Sequence, residues 1–243
     1  ADSTALLLLL RDLSAVYGAH IVAIHVHHGM HASADAWLSH CVKLSERFSI
    51  PLIVEKVDVS VFSDGYEGAA RAARWAVFSK VCGDNGVLFL AHHANDQVET
   101  FLQRFIRGGG VFSLASIYAE NTVNKVRVYR PLLPISKFEL ITYLRKHNIR
   151  WIEDSSNNDI KIERNFMRHK LVPLFASKWQ SFVKQANRCV SCLQEDAEHL
   201  SAYANAERLS ISSLCMGVNG IDCASFSKLS SEKRSLLLRV WIR

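Results

Sequence analysis

The residue pattern predicts an α/β fold, a parallel sheet with helices on both faces, followed by a helical C-terminal extension. Three observations predict it. Helix and strand signals alternate from Asp2 to Arg107. The strand signal Val87–Leu90 is apolar at every position, as suits a strand covered on both faces of a parallel sheet. Beyond Ser136 the signals are helical. A chain of 243 residues, 49% hydrophobic and 21% charged, holds one good core plus a smaller second unit.

Asp2-Ser3-Thr4 before Ala5–Leu10 and Leu13 reads as a capped helix that runs to Tyr17 and stops at Gly18. His20–His27 is a strand ending at His27-His28-Gly29. Ser33 caps a second helix from Ala34 to Phe48, apolar at Trp37, Leu38, Cys41, Leu44 and Phe48. Pro51–Val59 is the next strand, and Glu67–Val81 a third helix with Arg71 and Arg74 on one side. Gly83–Gly86 turns into the central strand. After Gly110 the pattern is irregular until a strand at Val126–Tyr129. Ser136 caps a helix through His147, EDSSNND is a polar turn, and Arg164–Phe175 is a basic helix interrupted at Pro173. Lys178–Arg208 reads as a linker helix or bundle arm, Gly217–Gly220 breaks the pattern, and Ser230–Arg243 is a final helix without a cap. A first helix with no strand before it would leave a doubly wound sheet without its centre, so a strand upstream of Ala1 is expected. Further chain beyond Arg243 is expected from the missing cap.

The stretch Val87–Gly110 organises the rest. It reads as strand, polar turn His92–Asn95, helix Asp96–Arg107 and glycine stop, with Asn95 as the N-cap. Val98, Phe101, Leu102, Phe105 and Ile106 form one apolar face. Asp96, Glu99, Thr100, Gln103 and Arg107 share the opposite one, which a merely solvated face would also explain. Two adjacent histidines and two carboxylates at the carboxyl edge of a parallel sheet favour a functional site, because such folds place ligands there.

A net charge of +6 favours an anionic partner, nucleic acid more than membrane, and no segment approaches transmembrane length. The opening ADSTALLLLL lacks the basic region and cleavage site of a signal peptide. Of six cysteines only Cys189 and Cys192 have metal or redox spacing, half a site at most, so a reduced, cytoplasmic setting is expected.

Seven ordered pieces of this chain resemble the tRNA(Ile)-lysidine synthetases, members of the PP-loop ATP pyrophosphatases. The pieces are Ala1-Asp2-Ser3, His27-His28-Gly29-Met30, Ala69–Trp75, His92–Thr100, Arg107–Gly110, Arg130–Leu133 and Asp154–Pro173. The resemblance implies a Rossmann-like sheet of PP-loop type, the adenine nucleotide alpha hydrolase-like arrangement, over residues 1–175. A linker helix over 176–209 and the start of a helical, tRNA-contacting second domain over 210–243 would follow. Asp2, Ser3 and His27 would then face ATP, with Asp2 and Asp96 available to Mg²⁺. Asp96, Glu99, Arg71 and His92 would form the catalytic group, the two carboxylates binding Mg²⁺ or gripping an ammonium of L-lysine. Arg71 and Arg74 could equally be a solvated face. Arg104 and Arg107 fit a plain helix end as well as a mobile loop; by resemblance they join Arg164, Arg168 and Lys170 along an RNA path.

The implied reaction is ATP-dependent ligation of L-lysine to the first-anticodon-position cytidine of a CAU-anticodon isoleucine tRNA. A homodimer is compatible with it. The family has a second Asp where Asn95 stands and an Arg at or near His31. A PP-loop tRNA thiolase and a non-catalytic RNA-binding relic are the alternatives; the thiolase would need a further cysteine pair or a cysteine beside the site.

Overall fold

The computed structural model describes residues 1–29, 32–58, 65–210, 212–215 and 218–242. Met30, His31, Val59, Gly217 and Arg243, which figure in the sequence readings above, lie outside the described residues. The chain forms two compact units, Ala1–Thr100 with Ile117–Val183, and Phe101–Ser116 with Lys184–Arg243.

The first unit is α/β. Helix α1 (Asp2–Tyr17) ends at Gly18, whose φ of 64° is the left-handed conformation that lets its N–H bond back to Ser14 O. Strand β1 (Ala23–His27) pairs in parallel with β2 (Leu52–Lys56) on either side of α2 (Ala34–Phe48). Helix α3 (Gly65–Cys82) leads to β3 (Val87–Phe89), which runs parallel to β5 (Val126–Tyr129). The expected parallel sheet therefore appears as two parallel pairs, each with its helical crossover.

The irregular reading of Val111–Lys125 does not hold. A short helix, α5 (Val111–Leu114), and a strand, β4 (Glu120–Val123), stand there, and β4 adds to β5 as an antiparallel edge. Asn124 and Lys125 both take positive φ, 48° and 66°, which is what a tight hairpin turn requires. The strand escaped notice because Glu120, Asn121 and Thr122 are exposed and carry no apolar alternation.

The reading of the central strand as buried on both faces is also corrected. Leu88 is buried, but Phe89 is exposed and lies tilted against Tyr129 at 5.9 Å between ring centroids. Helix α4 (Ala94–Ile106) starts earlier than expected, so Asn95 is inside it and is not its cap. The Asn95 side chain instead accepts from the Lys137 backbone N–H at 3.0 Å.

The core beneath the site joins α1, α2 and α6 (Lys137–Lys146) through Ala5, Leu6, Leu8, Leu44, Leu140, Leu144 and Ile149. Ser136 caps α6, as the sequence suggested, and Glu139 completes a full capping box. Ser33 sits at the N-cap position of α2 without a side-chain cap bond. The basic segment is α7 (Glu163–Phe166), a π-turn at Met167–Leu171, and α8 (Val172–Lys178). Pro173 does not interrupt it, since the helix has already widened by a residue where the proline would withhold its donor.

The second unit contains most of α9 (Phe182–Ser210), which buries Ala186, Val190, Ala197 and Ala204. Where only a glycine break was expected, a hairpin of β6 (Ser212–Cys215) and β7 (Val218–Ile221) forms. Helices α10 (Cys223–Ser227) and α11 (Ser231–Trp241) follow, capped by Asp222 and Ser230. Lys233 Nζ meets Glu207 at 2.7 Å, and Leu237 packs on Ala204. Among the described residues no helix is long and apolar enough to cross a membrane.

Leu144 is fully buried between α1 and α6. Leu144→Ala should lower unfolding stability by roughly 2–5 kcal/mol, read from the denaturation midpoint at constant slope.

Candidate active site

Beyond the carboxyl end of β3 the chain turns through Leu90–His93 into the first turn of α4. His93, 2% exposed, takes the capping position that Asn95 was expected to fill. Its backbone N–H donates to Asp96 Oδ2 at 3.0 Å, and its ring Nδ1 receives the Asp96 N–H at 3.4 Å. This reciprocal pair satisfies two of the orphan donors at the helix start. The same ring turns Nε2 toward Asp2 Oδ2 at 3.6 Å, while Lys137 Nζ holds Asp2 Oδ1 at 2.5 Å. Asp2 is thus not the cap of its own helix; Ala1 occupies that position without a side-chain bond.

One turn further along α4, Glu99 is 1% exposed, so the carboxylate face of this helix is not a merely solvated one. Arg164 Nε meets Glu99 Oε2 at 2.8 Å, and its Nη2 meets Asp96 Oδ1 at 2.6 Å. Arg168 Nε meets Glu99 Oε1 at 2.7 Å, with Nη2 at 2.9 Å from Oε2 and 3.3 Å from Asp96 Oδ1. Arg164 and Arg168 are four residues apart on the α7–π segment, so one face offers two guanidinium forks to two carboxylates. A buried carboxylate is tolerated only when paired and hydrogen-bonded in this way.

The cluster balances its charges: Asp2, Asp96 and Glu99 face Lys137, Arg164 and Arg168. Desolvation pushes the Asp2 carboxyl upward, but the bonds from His93 and Lys137 outweigh it and hold it well below the usual range. His92 lies in the same field. Desolvation, with the Arg130 and Arg164 charges, outweighs the pull of Asp96 and takes its imidazole down to about 4. Its Nδ1 is buried with no hydrogen-bond partner.

Four of the expected site residues, Asp2, His92, Asp96 and Glu99, are therefore brought together with Arg164 and Arg168. Ser3 is exposed in the first turn of α1. His27 is buried at the end of β1, and its Nε2 lies 3.1 Å from Asp35 Oδ1 on α2. Arg71 lies with Trp75 and Asn124 around an open cavity of about 440 Å³. After burial itself, the Arg71 charge is what pushes the buried Arg130 guanidinium downward. Lys170 is exposed, so Arg164 and Arg168 do not continue with it as one solvated stripe; the carboxylates have drawn them inward. Arg104 and Arg107 belong to the second unit, where Arg104 Nη1 donates to Ser113 O at 2.7 Å and Ser116 O at 3.1 Å.

Sequence reasoning missed three members. His93 was visible as one of two adjacent histidines, but only the fold tells which of them enters the cluster interior. Lys137 is 135 residues from Asp2 and carries no local signal. Arg130, 7% exposed, stood in a matched motif without a role; it ties Tyr118 O and Asn121 Oδ1 to the end of β5.

Asp2 and Asp96 offer the hard oxygens that magnesium prefers. As arranged here, Asp2 is engaged by Lys137 and His93, and Asp96 by both arginines and the His93 N–H. The two carboxylates do not fit a divalent ion in this arrangement, and no step below is routed through one.

The model of a family described as a PP-loop domain matches residues 1–175. The chain belongs to the PP-loop domain family. It is similar to the tRNA(Ile)-lysidine synthases of Pseudomonas fluorescens strain Pf0-1, 37% identical over 99% of this chain and 55% of that protein, and of Pseudomonas aeruginosa strain PAO1, 37% identical over 99% and 56%. A third such synthase, from Xanthomonas axonopodis pv. citri strain 306, is 35% identical over 99% and 54%. The chain spans about half the length of these curated relatives. Among solved structures it is similar to the U34-tRNA thiolase NcsA of Methanococcus maripaludis, described with its [4Fe-4S] cluster. The TM-score is 0.64 at 14% identity, over 80% of this chain and 68% of that one, a likeness of fold.

Holding His92 neutral has a pH consequence. Its folded pKa is depressed to about 4 from the ordinary 6.5 of a histidine, so its contribution to stability is complete above the unfolded value and is lost as pH falls from there through the folded one. Melting temperatures of the wild type should drop across that window, and His92→Gln should flatten the drop. An unchanged slope in the variant would remove His92 as its source.

Proposed function

We propose that this protein ligates L-lysine to C2 of the cytidine at the first anticodon position of a CAU-anticodon isoleucine tRNA, using ATP. One observation carries the reading: Asp2, His92, Asp96 and Glu99 gather with Arg164 and Arg168 beyond β3, in a chain whose curated relatives bear the lysidine synthase name. In the first step the C2 carbonyl oxygen of the cytidine attacks the α-phosphorus of ATP, and pyrophosphate leaves. In the second the ε-amine of lysine attacks C2, AMP departs with that oxygen, and the amine proton is lost. Lysidine pairs with A and not G, so the tRNA changes both codon and amino acid.

The residues divide the work by charge. The start of α1, with Asp2 and Ser3, offers the positive end of a 16-residue helix to phosphates. Asp96 and Glu99 supply negative charge for an ammonium group of lysine, and the arginines they hold supply positive charge to the phosphates. One network thereby sets both signs side by side. Neutral His92, with its free buried Nδ1, accepts a hydrogen bond from the attacking amine without repelling it. Magnesium belongs to the nucleotide's own phosphates; Asp2 and Asp96, held by their cationic partners, are not its ligands here.

Arg71 completes the catalytic group, and His27 belongs with the nucleotide. Arg104, Arg107 and Lys170 are assigned to the RNA path together with the solvent edges of Arg164 and Arg168, and the segment from Ser210 to a second, tRNA-contacting domain. The setting is cytoplasmic. The thiolase alternative has no support in the site: Cys189 and Cys192 are both exposed on α9.

The test is incorporation of labelled lysine into unmodified CAU-anticodon isoleucine tRNA with ATP, by the protein as its gene encodes it. Asp96→Asn should reduce incorporation by about 100-fold or more while tRNA affinity stays within about three-fold, the pattern of a lost transition-state contact. Full incorporation by the variant would take Asp96 out of the reaction. No incorporation by the wild type would end the reading.

A further inference from the structure

A second concentration of cationic groups lies on the first unit, built by different elements from the cluster at α4. A notch of about 230 Å³ is lined by His40, Lys43, Leu44 and Arg47 on α2 and by Asn148 and Arg150 after α6. The four α2 residues fall at i, i+3, i+4 and i+7, which places them on one helix face. Leu44 forms the floor; it is buried in the core cluster with Leu144 and Ile149, so the notch stands on packed side chains. Asn148 turns the chain at φ 52°, its N–H bonded to Arg145 O, and the Ile149 N–H bonds to Leu144 O at 3.0 Å. That turn delivers Arg150 to the α2 face.

Lys43, Arg47 and Arg150 are exposed, and none has a carboxylate within ion-pair distance among the described residues. Glu46 stands between Lys43 and Arg47 in sequence and pairs with neither. His40 Nε2 is buried without a hydrogen-bond partner. At the α4 cluster this unit answers its cations with acids, as Arg164 and Arg168 show. Three like charges around one concavity repel one another, and a bound anion relieves that repulsion.

The basic groups extend past the notch. The Arg47 guanidinium lies 5.3 Å from the Phe48 ring centroid, and Arg145 and Lys146 end α6. The last two also complement the helix dipole. A single small anion would satisfy the notch and leave this row unmatched. A chain of phosphates spaced along a backbone matches it.

We infer that the notch between α2 and the turn after α6 seats a phosphodiester of the RNA backbone, a docking point apart from the catalytic cluster. This inference rests on the RNA reading of the previous section. Phosphate contacts of this kind fix the position of the nucleic acid and carry no base preference.

The experiment compares the full protein with K43Q/R47Q/R150Q, titrating unmodified CAU-anticodon isoleucine tRNA over a series of KCl concentrations. The triple variant should bind at least about 10-fold more weakly at low salt, and its slope of log K against log salt should be shallower by about 2 to 3. In the incorporation assay its KM for tRNA should rise with kcat nearly constant. Unchanged affinity and slope, with an unchanged melting temperature, would overturn the inference. So would inorganic phosphate that saturates the notch of the wild type without weakening tRNA binding, which would mark a small-anion site. If the wild type binds tRNA with this salt dependence yet never incorporates lysine, the ligase reading fails and the docking point stands. If a melting shift shows the triple variant to be unfolded, Arg150→Gln alone should reduce the slope by about 1, and no change would count against the notch.

Discussion

Glu99 is the fixed point of the first unit. A carboxylate 1% exposed inside a protein needs its charge answered at close range, and two guanidiniums answer it from the α7–π segment. Removing one side of such a pairing typically costs about 3–5 kcal/mol, because the partner charge is left buried. That cost fastens residues 163–171 onto α4, although they lie more than sixty positions later in the chain. Arg168 sits within the π-turn at Met167–Leu171, one turn after Arg164 in α7.

The start of α4 is built on the same economy of groups. His93 caps the helix, orients Asp96 and faces Asp2, so a single buried ring links the first turn of α1 to the first turn of α4. Lys137, whose backbone N–H is held by Asn95, closes the circuit from α6. Phosphate-binding potential at one helix start and carboxylates at another are thereby kept a few ångströms apart without neutralising each other through collapse.

Much of the fold was legible in the residues, and its errors have one source. Gly18, Ser136, and the apolar periodicity of α1 and α2 are local signals, and the elements they mark stand where they point. Asn95 was read as a cap because its chemistry allows it, but a long-range bond to Lys137 took it and left the cap to His93. The β4 strand and the β6–β7 pair went unread because pairing partners, and at the β4–β5 turn the positive φ of Asn124 and Lys125, define them in place of side-chain alternation. Periodicity separates the polar from the apolar face of α4 and says nothing about which side meets protein, so burial of the carboxylates was not legible there. Phe105 and Ile106, on its apolar face, are exposed while Asp96 and Glu99 are buried.

By itself the sequence determined the α/β alternation, the crowding of titratable groups in the segment beyond the third strand, and the basic character that favours an anionic partner. These follow from spacing, capping chemistry and charge count, all properties of neighbouring residues. Only the tertiary structure decided that Arg164 and Arg168 serve Glu99, that Lys137 serves Asp2, and that His40, Lys43, Arg47 and Arg150 share one notch. Charge pairing in a low-dielectric interior depends on distances of a few ångströms between groups remote in sequence, and no local pattern encodes those distances.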